Sequence, residues 1–136
     1  MNSILTRIGM AALLGAAIVL TGCKAGGGTD ANLALIDKPE VGDIYAAELS
    51  EFSTGFTDDK EQPLENAYGL MKVVAVDKDK VVVITEAAAA ETKMISRQDI
   101  LGDLSDITFD EEERIDIVLP QLRQAYESGK IYEVRR

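Results

Sequence analysis

Histidine is absent from the chain, and cysteine occurs only once, as Cys23. Catalysis by a serine or cysteine nucleophile that a histidine activates is therefore excluded. The usual zinc sites lose their nitrogen and sulfur ligands for the same reason. Because there is no second cysteine, the chain cannot form an internal disulfide. We accordingly predict a non-enzymatic protein with no cofactor.

Basic residues are also scarce. The sequence has 14 Lys and Arg against 24 Asp and Glu, a net charge of −10. Arg7 is the only charged residue among the first 22, so the rest of the chain has 13 basic and 24 acidic side chains. Nucleic acid is not expected as a partner, because phosphate binding needs clustered positive charge. The acidity indicates either a self-repelling, soluble surface or a surface for a cationic partner.

The first 22 residues have the order of charges that is typical of a secretory signal. A basic start ends at Arg7, an apolar stretch runs from Ile8 to Leu20, and the small residues Thr21 and Gly22 follow. The apolar stretch is shorter than the roughly 20 residues that a membrane-spanning helix needs. We therefore predict that residues 1–22 are a signal peptide.

The end of this leader, Leu20-Thr21-Gly22-Cys23, resembles the lipobox of bacterial lipoproteins. The resemblance implies cleavage between Gly22 and Cys23, a diacylglycerol thioether on Cys23 and further acylation, for example by palmitate. Several acyl chains hold a protein firmly at a membrane, because each buried CH₂ contributes about 0.8 kcal/mol. Lys24 follows the cysteine, where an aspartate would favour the inner membrane of Gram-negative members. The expected location is thus the outer membrane, facing the periplasm.

The remaining chain is predicted to be a tether followed by one domain. Residues 23–35 comprise the lipidated cysteine and a Gly-rich segment that is typical of a flexible linker. Residues 36–136 are expected to form a small acidic α+β domain with a mostly antiparallel sheet, or an open SH3-like barrel. The predicted strands are 41–49, 68–76, 81–85, 115–119 and 131–135, with a helix from Pro120 to Gly129 before the last of them.

Three segments between these predicted strands show no strand pattern. Residues 50–66 have no sustained period and are predicted to be a loop, with Phe52 and Phe56 as anchors to the core. The run Glu86–Glu91 is compatible with either helix or loop. Ile100, Leu101 and Leu104 are predicted to form an amphipathic turn, which Gly102 interrupts.

The most acidic segment lies between Asp99 and Asp116, where Arg114 is the only basic residue. Its sequence Glu111-Glu112-Glu113 is the candidate site for a basic partner, because complementary fields accelerate association. An exposed connector with no partner is the alternative. Asp77 with Asp79, and the acidic segment, offer carboxylate oxygens that calcium could use, but neither matches an EF-hand loop. A solvated turn and a solvated loop are favoured.

The sequence thus favours a membrane-anchored lipoprotein with a binding or structural role in the cell envelope. An immunity or inhibitor protein against a basic toxin or cell-wall hydrolase is the main alternative. A hydrolase with two carboxylates is less favoured, because a pair at the required separation cannot be recognised from sequence.

Overall fold

The computed structural model describes residues 27–136, with side chains described from residue 31 onwards. The predicted signal peptide, its cleavage site at Gly22 and the lipid attachment site at Cys23 lie outside the described residues. Asn32–Arg136 form one compact unit. Within the part of the chain that is described, no helix is both long and apolar enough to cross a membrane.

Five strands form one open, fully antiparallel sheet with the order β4-β3-β2-β1-β5. The strands are β1 (Ile44–Glu48), β2 (Tyr68–Val76), β3 (Lys80–Thr85), β4 (Ile115–Val118) and β5 (Ile131–Arg135). The hairpin of β2 and β3 has the predicted position, as expected for two Val-rich segments that flank a polar turn. The predicted α+β class with a mostly antiparallel sheet is confirmed.

Among the described residues, three α-helices accompany the sheet: α1 (Gly27–Asp37), α2 (Lys93–Leu101) and α3 (Leu119–Glu127). The last of these connects the two edge strands β4 and β5, as the sequence predicted for a short helix before the final strand. Pro120 lies in its first turn, and Gly129, just after its end, has a φ of 84°. Both residues suit these places, because Pro fits the start of a helix and Gly the left-handed position after it.

The sheet has a buried cluster on each face. Tyr45, Ala47 and Leu49 of the β1 region alternate along the chain and pack with Leu122 of α3 in the larger cluster. Ile44 and Ala46 lie in a second cluster with Ile100 of α2. Strand β1 is therefore buried on both faces, which explains why small and apolar residues occupy all of its first four positions.

Two segments differ in detail from the pattern of the sequence. Helix α1 begins at Gly27, within residues 23–35 that were predicted to be a tether, and its Ile36 is only 2% exposed against the larger cluster. Of the residues predicted to form one amphipathic turn, Ile100 is buried, whereas Leu101 is 80% exposed. Successive helical residues point about 100° apart, so burial of Ile100 turns Leu101 towards solvent.

The loops also acquire definite structure. Phe56 is buried and Phe52 is partly buried against the larger cluster, so both anchor residues of the loop over 50–66 were predicted correctly. The run Glu86–Glu91 is not helical. Its two ends form isolated bridges instead, with Glu86 opposite Phe109 and Ala90 opposite Tyr68.

Candidate functional site

The acidic loop, which we define as Glu111-Glu112-Glu113, is separated from edge strand β4 by one exposed residue, Arg114. All three side chains are exposed. The backbone before the loop is fixed, because the Asp110 N–H donates a 2.8 Å hydrogen bond to the carbonyl of Thr85 at the end of β3. Asp110 also accepts a 3.1 Å hydrogen bond from the Glu112 N–H through its Oδ1 atom. The predicted partner-binding residues are therefore exposed at a defined place beside the sheet.

One member of the acidic loop contacts a distant segment. Ser53 Oγ donates a hydrogen bond to Glu113 Oε1, which connects the loop to the long segment after β1. Within residues 31–136, no side chain of the acidic loop forms an ion pair. The three negative charges are thus available to a positively charged partner.

A second candidate site was not recognised in the sequence. It is a cavity of about 480 Å³ between the segment after β3, the loop over 50–66 and α2. Its acidic lining residues are Asp58, Asp59, Glu86, Glu91 and Asp99, and Lys60 is the only basic one. Only Asp99 belongs to the predicted acidic segment. These residues are up to 41 positions apart in the sequence, so no local motif identifies them.

Glu86 is the most perturbed carboxylate of this cavity. Its backbone N–H donates to the Leu70 carbonyl, and its Oε1 accepts from the Leu70 N–H, both at 2.9 Å. Burial raises the pKa of Glu86 to about 7, and the charge of Asp99 contributes to this increase, while the bond from Leu70 counteracts it. Near neutral pH the cavity therefore holds one carboxyl group close to its titration midpoint.

Gly69 makes room for this arrangement on the neighbouring strand. A Cβ atom at Gly69 would lie 2.8 Å from Leu49 Cδ1 and 3.1 Å from Glu86 Oε1. Both distances are shorter than an ordinary van der Waals contact. The absence of a side chain at position 69 thus allows Glu86 to reach the Leu70 N–H.

Most of the ionisable side chains that line the cavity are carboxylates, so these groups determine what chemistry the cavity can support. Among the described residues, no group of three or more Asp, Glu, Cys or His could hold a metal ion, at Asp77 and Asp79 or elsewhere. Two carboxyl groups in different environments, one with a raised pKa, are the arrangement that acid–base catalysis uses. They also suit the binding of a cationic group.

A polar contact outside both sites joins α2 to β5. Buried Ser96 shares a hydrogen bond with the Tyr132 hydroxyl, which also donates a 3.3 Å hydrogen bond to the Ala47 carbonyl. Lys93 and Arg97 lie over the Tyr132 ring, at 4.9 and 5.2 Å from its centroid. These contacts hold α2 against the sheet and thereby fix one wall of the cavity.

Comparison with known proteins adds no relative. No protein-family model, no curated protein and no solved structure matches the chain.

Proposed function

We propose that this protein is a bacterial lipoprotein that is attached through Cys23 to the outer membrane, facing the periplasm. We further propose that its domain has a non-catalytic role and binds a basic protein of the cell envelope through the acidic loop. The leader and the motif Leu20-Thr21-Gly22-Cys23 support the anchor. The observation that carries the binding role is the exposure of Glu111, Glu112 and Glu113 at a loop whose backbone is hydrogen-bonded in place.

The anchor is tested by metabolic labelling of cells that express the full-length chain. Radiolabelled palmitate is expected to be incorporated into the wild type and not into Cys23→Ala, whose leader should also remain uncut. Cys23→Ser is the closest control in shape, and it should behave like Cys23→Ala because the thioether needs a thiol. Label that persists in either variant contradicts the lipoprotein proposal.

The binding role is tested by affinity capture of the tagged full-length protein from its native envelope. A basic protein is expected to be recovered at low salt and lost at high salt, because exposed charge pairs are screened. The variant with Glu111, Glu112 and Glu113 changed to Gln should recover much less of it. A control with Glu61, Glu65 and Glu127 changed to Gln loses the same charge at other exposed positions and should behave like the wild type.

The identity of the captured protein separates two forms of this proposal. A basic toxin or cell-wall hydrolase that loses activity on binding indicates an immunity or inhibitor protein. A basic structural protein of the envelope indicates a role in assembly. Equal recovery with both triple variants contradicts the assignment of binding to the acidic loop.

A second candidate function, a carboxylate-dependent hydrolase, is favoured by the cavity. Its support is that Glu86, whose pKa is raised to about 7, and Asp99, whose charge contributes to this increase, both line a space of about 480 Å³. Such a pair could act as general acid and base on a glycosidic bond. Hydrolysis of purified cell-wall glycan by the wild type, abolished in both Glu86→Gln and Asp99→Asn, would support this function. An inactive wild type, or activity retained in both variants, contradicts it.

A further inference from the structure

The free edge of the sheet lies beside the acidic loop. Among the described residues 27–136, strand β4 pairs only with β3, and the order β4-β3-β2-β1-β5 makes it an edge strand. An edge strand presents unpaired N–H and C=O groups and can therefore pair with an additional strand. At the other edge, β5, the Asn32 side chain of α1 donates a 3.2 Å hydrogen bond to the Glu133 side chain, so α1 lies beside that edge.

The register identifies which backbone groups of β4 point outwards. The Leu119 N–H donates a 2.9 Å hydrogen bond to the Asp79 carbonyl, directly after the pair of Lys80 with Val118. Hydrogen-bonded and non-hydrogen-bonded pairs alternate along an antiparallel ladder. Asp79 and Leu119 form a hydrogen-bonded pair, so the next pair, Lys80 with Val118, is non-hydrogen-bonded, and so is the pair of Val82 with Asp116. The N–H groups of Asp116 and Val118 therefore point away from β3, towards the open side of the edge.

The side chains at this edge define which strand it can accept. Ile115 and Ile117 lie on the face of the larger buried cluster, with Ile115 only partly buried. Asp116 lies on the opposite face with an exposed side chain, and Val118 on that face is 48% exposed. Asp116 pairs with Lys80 of β3 at 2.6 Å, and the exposed Arg114 lies between β4 and the acidic loop. A strand added here would therefore meet apolar surface on one face, and the unpaired negative charge near this edge is that of the acidic loop.

We infer that β4 binds an extended segment of the basic partner as an additional strand, with apolar residues beside Ile115 and Lys or Arg beside the acidic loop. This inference rests on the proposed function, because it specifies where and how the basic partner is held. Charge complementarity selects this occupant. A second copy of the chain would instead bring two surfaces of the same negative charge together.

Val118 allows a specific test, because its φ of −69° is the value that proline requires. Val118→Pro removes the outward N–H and places a ring at the edge, while the bonds of Ile117 and Leu119 to β3 stay intact. Proline is tolerated at such edge positions for this reason. Val118→Ala is the matched control, since it shortens the side chain and keeps the N–H.

The probe is a synthetic 12-residue peptide in which Lys and Val alternate, with a peptide of the same composition in two blocks as its control. Binding to the full-length protein in detergent micelles is measured by fluorescence anisotropy. The alternating peptide is expected to bind more tightly than the block peptide. Its affinity should fall about tenfold or more in Val118→Pro, as expected for the loss of main-chain pairing, and stay unchanged in Val118→Ala.

Hydrogen exchange of the wild type provides a readout that needs no variant. The amides of Asp116 and Val118 should exchange more slowly when the alternating peptide is added. Unchanged exchange at both amides, equal binding of the two peptides, or no binding of either overturns the strand-addition inference. Dimers of the wild type that disappear in Val118→Pro also overturn it, because a second copy would then occupy the edge.

The proposed function can fail or survive independently of this inference. Peptide binding that persists in Val118→Pro but is lost when the three Glu residues become Gln overturns strand addition alone. It leaves electrostatic recognition by the acidic loop in place. The reverse result, with the triple variant unaffected and Val118→Pro inactive, assigns the binding to the edge and removes the acidic loop from it.

Discussion

Arg136 forms a two-point ion pair with Asp43, in which Nε lies 2.9 Å from Oδ1 and Nη2 lies 3.0 Å from Oδ2. The carboxylate of Asp43 is buried at 1% exposure, and it also accepts a 2.9 Å hydrogen bond from the Glu40 N–H. Arg136 in turn donates to the Lys38 carbonyl. This cluster joins the segment after α1 to the end of β5 and fixes the entrance to β1.

Asp43→Asn is therefore expected to destabilise the fold by about 2 kcal/mol, because it removes the buried carboxylate that Arg136 and the Glu40 N–H share and leaves Arg136 only its 3.2 Å ion pair with the exposed Glu40. The free energy of unfolding in urea is the measurement. Asp37→Asn is the matched control: Asp37 pairs with Arg123 at 3.3 Å, but both side chains are 40% exposed or more. Asp37→Asn should lower the free energy of unfolding by less than about 0.5 kcal/mol, as usual for surface pairs. Equal decreases for Asp43→Asn and Asp37→Asn would contradict the structural role of Asp43.

Glu86 should make stability depend on pH. Its pKa is raised from 4.5 to about 7 in the folded state, so the folded protein holds this proton more tightly than the unfolded chain does. The resulting stabilisation is complete below pH 4.5 and is lost as the pH rises through 7. Relative to Glu86→Gln, the wild type should therefore lose about 2 kcal/mol between pH 4.5 and pH 8, after allowance for partial exposure.

The comparison is made by urea unfolding of the wild type and Glu86→Gln at several pH values. Glu111→Gln removes one exposed negative charge and serves as the control for net charge. Asp99→Asn should reduce the pH effect, because the charge of Asp99 contributes to the raised pKa of Glu86. A stability difference that does not change with pH contradicts the buried environment assigned to Glu86.

Gly69→Ala is expected to destabilise the protein by about 1–3 kcal/mol, because the new methyl group would meet Leu49 Cδ1 at 2.8 Å in a packed region. Gly102→Ala is the control: its Cβ would meet only backbone oxygens, at 3.5 Å and beyond. That variant should change stability by less than about 0.5 kcal/mol. Chemical denaturation of both variants tests the prediction, and similar effects of the two substitutions would disprove it.

Tyr45→Phe should leave the stability unchanged or increase it by about 1 kcal/mol. The Tyr45 hydroxyl is buried and has no hydrogen-bond partner among the described residues, and burial raises its pKa. Removing an unpaired buried hydroxyl removes an uncompensated desolvation cost. Tyr132→Phe is the contrasting variant, because its hydroxyl bonds to Ser96 and Ala47, and it should be less stable than the wild type. A destabilised Tyr45→Phe contradicts the account of Tyr45.

The sheet was largely predictable from the sequence because its signals are local. The β2–β3 hairpin follows from Val-rich segments on both sides of a polar turn, and α3 follows from Pro120 and Gly129. Helix α1 was missed because its Gly-rich start is typical of a linker. The packing of Ile36, which stabilises this helix, depends on distant residues.

The two candidate sites also differ in whether local sequence signals or long-range contacts define them. Glu111, Glu112 and Glu113 are adjacent in the sequence, and their exposure follows from their composition. The Glu86 cavity was missed because its properties depend on long-range contacts with Leu70, Gly69 and Asp99. The free edge of β4 was likewise not predictable, since strand order is a property of the tertiary structure.

The most direct test of the central proposal is photo-crosslinking in intact cells with a photoreactive amino acid at position 112 of the full-length protein. The same amino acid at Gln121, an exposed position on α3, is the control. We predict one prominent adduct with a basic envelope protein from position 112 and none of that adduct from position 121. The absence of an adduct at 112, or the same adducts from both positions, would contradict recognition through the acidic loop.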